Sequence, residues 1–199
     1  MKDFFNLYSH GFVRAAVCVP EVRVADVSYN TQQTIGLAKE ASAKKALFAI
    51  FPELGLSAYS NEDLFHQEAL LQRVREALGL VLEKTRSLNT ILVVGAPLRV
   101  DSFLFNGAIV IYRGRILGVA LKSYLPNYRE FYEGRQFRPA EDALSKTINL
   151  CGQERHPEKP AQTPVQGLRC LCPETALPVQ ERHLILPDRG RSARGALQI

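Results

Sequence analysis

The hydrophobic pattern of the chain alternates between two periods over residues 12–121. Residues 31–45 and 62–86 carry apolar side chains at steps of three and four, which is the spacing of one helix face. Apolar runs typical of β-strands occupy residues 12–19, 46–51, 90–96, 106–112 and 115–121. The predicted order is therefore β-α-β-α-β-β-β, which indicates an α/β (layered α+β) domain with helices covering a mixed sheet.

Local signals mark where some of these elements begin and end. Asn30 is a plausible N-cap for the first helix, because an asparagine side chain accepts a hydrogen bond from the first helical turn. The Arg113-Gly114 pair predicts a tight turn between the last two strands. The run 46–51 is continuously apolar, so we expect it to be buried on both faces of the sheet.

Composition divides the chain near residue 150. The chain holds ten Phe and seven Tyr, yet neither type occurs after Phe137. Aromatic side chains supply much of the buried area of a protein core, so their loss indicates a change of structure. Residues 151–164 are polar and proline-containing and are typical of loop or disorder. We expect a domain over residues 1–150 and an irregular, disordered tail over residues 151–199.

Charge and cysteine content exclude several classes of protein. The net charge of +5 is spread along 199 residues without a run of five Lys or Arg, so no nucleic-acid partner is expected. No apolar stretch approaches the roughly 20 residues that cross a bilayer, and residues 1–6 lack the pattern of a secretory signal, so no membrane partner is expected. Four irregularly spaced cysteines do not form a disulfide framework, which predicts a cytoplasmic location.

Glu53 and Lys122 each follow an apolar, strand-like run. Ligand sites in α/β sheets favour the carboxyl ends of strands. A partly desolvated carboxylate there suits a general base, and an ammonium there suits the stabilisation of an oxyanion. Taken singly, each residue has a plainer explanation: a solvated loop glutamate, or a lysine whose head group reaches water from a strand end. A simple ion pair between the two is a further alternative.

Two longer motifs around these residues resemble the nitrilase, or carbon–nitrogen hydrolase, superfamily. They are Phe-Pro-Glu-Leu-Gly-Leu-Ser-Ala-Tyr at residues 51–59 and Leu-Lys-Ser-Tyr-Leu-Pro-Asn-Tyr-Arg-Glu-Phe-Tyr-Glu at residues 121–133. The second motif, together with residues 8–14 and 93–98, resembles the glutaminase domain of bacterial glutamine-dependent NAD synthetases. Asn106 also stands where that family has an asparagine.

This resemblance implies a fold, a reaction and a set of site residues. The family fold is an α-β-β-α sandwich with a Glu-Lys-Cys triad, in which Glu53 takes the general-base place and Lys122 the oxyanion-stabilising place. Tyr59, Tyr128 and Glu133 match positions near the glutamine pocket. The implied small-molecule substrate is glutamine, hydrolysed to glutamate and ammonia through a thioester. The ammonia would serve a second, ATP-using domain that amidates deaminated NAD, and homo-oligomers are expected.

The resemblance covers about residues 4–150 and leaves out the nucleophile. The family carries its cysteine in a Cys-Glu-Asp run beyond the lysine, and no such run occurs here. Cys172 precedes Pro173, which has no backbone N–H to act as an oxyanion donor, so Cys170 is the remaining candidate. We expect an incomplete sandwich with little or no glutaminase activity. Our hypothesis is that the tail is read in a shifted frame.

No cofactor or metal is expected in this chain. ATP and Mg²⁺ would belong to the synthetase domain of the family, and the sequence has no Ser-Gly-Gly pyrophosphate loop. A metal site has possible ligands, but their spacing lacks the paired arrangement of known sites. These possible ligands are Cys151, Cys170, Cys172, His156 and His183.

Two other functions stay open. The first is a free-standing amidase of the same superfamily, although the run over residues 122–137 matches the synthetase branch. The second is a non-catalytic protein that keeps the sandwich for binding or assembly.

Overall fold

A mixed β-sheet with two α-helices on one face makes up most of the computed structural model, which describes residues 4, 6–145, 147–158 and 196–198. None of the helices in this described part is long and apolar enough to cross a membrane. The main elements follow the predicted order β-α-β-α-β-β-β, so that expectation is confirmed.

Seven strands form the sheet, in the order β8-β5-β4-β3-β2-β1-β9, and β6 and β7 form a separate hairpin. Strands β1, β2 and β3 are parallel, and β3, β4 and β5 form an antiparallel meander. As a result β1, β2, β3 and β5 all run in one direction, and their carboxyl ends lie along one edge. The bounds are β1 Ala15–Val19, β2 Phe48–Ile50, β3 Ile91–Val100, β4 Phe103–Tyr112, β5 Arg115–Leu121, β6 Ile148–Leu150, β7 Gln153–Arg155, β8 Pro157–Glu158 and β9 Ala196–Gln198.

The two α-helices, α1 (Val27–Ala43) and α2 (Glu68–Lys84), pack against each other and against one face of the sheet. Their apolar sides and the inward-facing strand residues form one core cluster. Four short 3₁₀ helices complete the described elements: Leu7–His10, Glu62–His66, Glu133–Arg135 and Ala140–Asp142. The Arg113-Gly114 turn joins β4 to β5 as predicted, with both residues at positive φ.

The other face of the sheet is open in the part of the chain that the structure describes. Apolar side chains on β1, β2 and β5 point away from the helices and are between 44% and 53% exposed: Val17, Val19, Ile50 and Leu117. The expectation that the run 46–51 is buried on both faces is therefore wrong, because only Ala49 within β2 is fully buried. The described residues supply one sheet and one helical layer, which is half of a four-layer sandwich.

The predicted cap of the first helix is also wrong. Helix α1 begins four residues earlier than expected, and its N-cap is Asp26, whose carboxylate accepts a hydrogen bond from the Tyr29 N–H at 3.1 Å. Asn30 lies inside the helix and is fully buried. Its side chain bonds both the N–H and the carbonyl of Arg23, at 2.7 and 2.8 Å, and the carbonyl of Leu56 at 3.3 Å. It therefore ties two loops to the helix.

Two further boundaries differ from the expectation. The predicted helix over residues 62–86 is divided at Gln67, whose extended backbone separates a 3₁₀ turn from α2. Residues 153–158, expected to be irregular, form β7 and β8, which pair with β6 and β5. The remainder of the predicted tail, residues 159–195 and 199, lies outside the described residues.

We expect the substitution Asn30→Ala to lower the free energy of unfolding by about 2–3 kcal/mol, since it leaves buried backbone groups without partners. The measurement is chemical denaturation. Asn89→Ala is the matched control, because the Asn89 side chain is exposed and accepts hydrogen bonds only from Arg113. A change in Asn30→Ala no larger than the roughly 0.5 kcal/mol of a surface substitution would contradict the structural role.

Candidate active site

Glu53 and Lys122 lie at the same edge of the sheet because β2 and β5 point in the same direction. Lys122 follows β5 directly, and its N–H continues the sheet ladder by donating to the Asn106 carbonyl at 2.8 Å. Glu53 lies three residues after β2, in a loop over residues 51–61. Two strands, β3 and β4, separate β2 from β5 in the sheet, so the loop must reach across them.

A glycine in β3 makes this reach possible. A Cβ at Gly95 would lie 2.5 Å from both the Leu54 nitrogen and the Pro52 carbonyl oxygen, so the loop rests directly on the glycine backbone. The Leu56 N–H donates to the Gly95 carbonyl at 3.3 Å. Leu54 and Ala58 take positive φ angles, 53° and 70°, where non-glycine residues are strained. The loop that carries Glu53 is thus fixed by backbone contacts.

The ammonium of Lys122 lies between two carboxylates. Its Nζ is 2.6 Å from Glu53 Oε1 and 2.9 Å from both oxygens of Glu133, with the directed hydrogen bond to Oε1. Glu133, in the 3₁₀ turn after the residue 122–132 loop, is only 5% exposed, whereas Lys122 is 27% and Glu53 42% exposed. The three predicted residues Glu53, Lys122 and Glu133 therefore form one cluster.

Asn106 and Tyr59 hold the two carboxylates in place. Asn106 Nδ2 donates to Glu53 Oε1, and the Tyr59 hydroxyl donates to Glu133 Oε1 at 2.6 Å. The sequence motifs pointed to Asn106 only as a matching position. The signal for a site residue was a buried polar side chain inside the otherwise apolar strand β4.

Tyr128 lies outside the cluster. Its side chain is largely exposed, and its ring packs on Phe131, with 5.8 Å between the ring centroids. The Phe131 ring in turn makes an edge contact with Tyr59 at 6.5 Å. The structure thus connects Tyr128 to the cluster through an aromatic row. Phe131 belongs to the second motif but was not singled out from the sequence.

The charges of the cluster shift the pKa values of two of its members. Burial lowers the pKa of Lys122, but the hydrogen bonds and charges of Glu53 and Glu133 outweigh it, and the net shift is upward. Burial, the hydrogen bond to Glu133 and the nearby negative charges all raise the pKa of the Tyr59 hydroxyl. Lys122 is therefore a fixed cation and Tyr59 a fixed hydrogen-bond donor at neutral pH.

A groove of about 340 Å³ on the open face of the sheet adjoins this cluster. Small and apolar residues form its floor, including Gly95, Ala108 and Ala120, while Glu53 and Lys122 lie on its rim. A carboxylate next to an ammonium over such a floor can accept a proton from a nucleophile and stabilise the negative charge of a tetrahedral intermediate. The arrangement is suited to attack on an uncharged carbonyl compound.

The described cysteines do not belong to this site. Cys18 is buried in β1 on the helix side, where burial and the charge of Glu40 raise its pKa to about 11. The Cys151 thiol contacts the Arg75 carbonyl of α2 at 3.5 Å. The candidate nucleophile Cys170 lies outside the described residues, as do Cys172 and His183 of the possible metal site. Within the described ranges, no three His, Cys, Asp or Glu side chains are grouped to hold a metal ion.

A family profile decides the classification. The profile of carbon–nitrogen hydrolases matches residues 14–182. The chain belongs to the carbon–nitrogen hydrolase family. The match extends past residue 150, beyond the stretch that carries the motifs, and the division of the chain at residue 150 stays a prediction.

This carbon–nitrogen hydrolase is 44% identical over 140 residues to the glutamine-dependent NAD(+) synthetase of Mycobacterium leprae, covering 70% of this chain and 21% of that relative. It superposes on the glutamine-dependent NAD(+) synthetase of Cytophaga hutchinsonii with a TM-score of 0.66, at 20% identity, over 72% of this chain and 24% of that one. The amidase of Nesterenkonia sp. superposes with a TM-score of 0.58, at 21% identity, over 71% and 53% of the chains. The last two similarities confirm the nitrilase-like fold alone. The chain spans about a fifth of the M. leprae relative.

We expect Gly95→Ala to lower the free energy of unfolding by about 1–3 kcal/mol, because the new methyl group overlaps the loop that carries Glu53. Gly36→Ala is the control, for which we expect the free energy of unfolding to rise instead of fall. Gly36 lies in α1 with nothing near its Cβ position, so alanine should stabilise the helix by about 0.5–1 kcal/mol. Denaturation of both variants measures the difference, and equal effects would show that the loop does not rest on Gly95.

We expect Glu53→Gln to lower the pKa of Lys122, since one of the two carboxylates that raise it is removed. Glu53→Gln with Glu133→Gln should bring the pKa of Lys122 below the ordinary value of a lysine, because burial alone then acts. Titration of ¹³C-labelled lysine by NMR measures both shifts. The raised pKa means that protonation of Lys122 stabilises the fold fully below the unfolded-state value, and that this stabilisation is lost as pH rises through the folded-state value. An unchanged pKa in Glu53→Gln would contradict the cluster.

Proposed function

We infer that this chain is a glutamine amidohydrolase domain, the part of a glutamine-dependent NAD synthetase that handles glutamine. The observation that carries the proposal is the Lys122 ammonium held between Glu53 and Glu133 at the carboxyl edge of the sheet. The identity with the M. leprae synthetase supports glutamine as the substrate rather than the simple amides of a free-standing amidase.

Each member of the cluster has a role in this proposal. Glu53 is the general base, because it is the more exposed of the two carboxylates and lines the groove. Lys122 stabilises the oxyanion formed when a nucleophile attacks the amide carbon of glutamine. Glu133, buried and bonded by Tyr59, positions the ammonium. Amide hydrolysis by this route yields glutamate and ammonia.

A thiol completes the reaction in the proposal. A cysteine becomes nucleophilic when a nearby base accepts its proton, which is the role assigned to Glu53. The sequence has no Cys-Glu-Asp run, so we expect the chain to bind glutamine and to hydrolyse it little or not at all. ATP and Mg²⁺ are assigned to the synthetase domain. No residue of this chain is assigned to them, since the sequence lacks a Ser-Gly-Gly loop. A cytoplasmic location and self-association belong to the same proposal.

The test measures binding and turnover on the same purified chain. We expect calorimetry to detect L-glutamine binding and no binding of L-asparagine, whose amide lies one methylene closer to the α-carbon. We expect ammonia release from L-glutamine to stay at background. Absence of glutamine binding would contradict the substrate, and turnover that is lost in Cys170→Ala would contradict the missing nucleophile.

Two lysine variants, one inside the cluster and one far from it, test whether the cluster binds glutamine. Lys122→Met removes the cation between two carboxylates and should reduce glutamine binding by about 10-fold or more, the effect of losing a charge-assisted contact. Lys84→Met changes an exposed lysine at the end of α2 and should leave binding unchanged. Equal affinities of the two variants would exclude the cluster as the glutamine site.

A further inference from the structure

The open face of the sheet carries an unbroken row of apolar side chains across four strands. The strand register places Val17 of β1 opposite Ile50 of β2, and Ile50 opposite Val93 of β3. Val93 in turn lies opposite Val110 of β4. Side chains alternate between the two faces of a sheet, and the neighbouring Ala49 is buried on the helix side, so the row points away from the helices. It is open to solvent in the described part of the chain, with Val17 50% and Ile50 44% exposed.

The rows on either side of this one are uncharged as well. They consist of Ala15, Phe48 and Ile91 on one side and of Gly95, Ala108 and Ala120 on the other. Charged side chains lie at the margins of the face, with Glu53 and Lys122 at the carboxyl edge and Arg115 at the start of β5. Five strands about 4.8 Å apart give this face an area of roughly 500 Å². That is the size of the largest apolar patches on monomeric proteins, which are often interaction sites.

A second copy of this chain fits the open face better than the remaining residues of the same chain do. Residues 159–195 contain five prolines and six Lys or Arg. Proline has no N–H for a sheet ladder, and a cation laid on an apolar face loses its water. The rows on the face of a second copy contain neither proline nor cation. The two faces can therefore meet without burying a charge.

We propose that two copies of this chain dimerise through their open sheet faces. A two-fold axis brings each face onto the identical face of the other copy, so the surface need only complement itself. The two sheets pack about 10 Å apart, with their strand directions within roughly 30° of each other. The two faces together bury about 1,000 Å², the size at which a specific interface begins. The layers of the dimer are helices, sheet, sheet and helices, of which the described residues of one copy supply half.

The interface borders on the candidate active site. Gly95, Ala108 and Ala120 belong both to the open face and to the floor of the groove, whose rim holds Glu53 and Lys122. Each copy therefore covers the groove floor of the other and keeps water from it. The proposal gives a surface to the self-association inferred above, and it does not depend on glutamine as the substrate.

Sedimentation equilibrium of the full-length chain from about 1 to 300 µM measures the dimer, since mass action favours association as concentration rises. We expect the average mass to increase from one chain to two. Ile50→Lys places an ammonium within the interface and should raise the dissociation constant by about 30-fold or more. Leu80→Lys is the matched control, because Leu80 is 39% exposed on α2, away from the open face. It should change the dissociation constant by less than about 2-fold.

NMR of the unaltered chain tests the same surface without a substitution. The methyl signals of Val17 and Ile50 should shift as the concentration rises, and those of Leu80 should stay in place. If Ile50→Lys does not fold, these signals decide. Methyl signals of Val17 and Ile50 that do not respond to concentration overturn the interface, whether or not the chain dimerises.

The outcomes separate this interface from the proposals that it joins. A chain that stays monomeric at every concentration overturns the interface together with self-association, and contacts of Ile50 with residues 159–195 would then identify the covering segment. A dimer that Ile50→Lys and Leu80→Lys affect alike overturns the open face as its surface and leaves self-association in place. Neither result bears on glutamine binding, which calorimetry measures separately.

Discussion

The contact of one ammonium with two carboxylates is the interaction on which the site depends. Lys122 brings together Glu53 and Glu133, which come from separate loops. Removing charges from water is costly, and their attraction repays this cost only when the geometry is good and the remaining polar atoms are bonded. Asn106 and Tyr59 each add a hydrogen bond to the Oε1 atom of one carboxylate, the same atom that Lys122 contacts. The cluster is therefore better understood as a means of positioning charges than as a source of stability.

The contacts that hold the loop beneath the cluster are between uncharged groups. The loop that carries Glu53 crosses β3 on the bare backbone of Gly95 and is tied down by neutral amides. Asn30 bonds the loop from α1, and Asn61 Nδ2 donates to the Ser57 and Ala58 carbonyls at 2.8 and 2.6 Å. These contacts involve uncharged groups, so the backbone of the loop at Glu53 is held without the ion pairs.

Periodicity was sufficient to predict the order of the elements, since strands and helices bury apolar residues at different spacings. The strand-end positions of Glu53 and Lys122 left an ion pair between them as one alternative, and their joint place in one site came from the resemblance of the two motifs. Local pattern failed for Asn30, where buried contacts with two loops outweigh the local preference of asparagine for helix caps. It failed for the outer face of β2, because burial depends on which layer covers a strand.

One lysine facing two glutamates leaves a negative charge uncompensated. A carboxamide is neutral and can approach such a place without electrostatic cost, whereas the carboxylic acid formed by its hydrolysis is an anion. Two unit charges of like sign a few ångströms apart repel each other strongly when water is partly excluded. The same contact therefore admits a neutral carboxamide beside the cluster and disfavours an anionic carboxylate there.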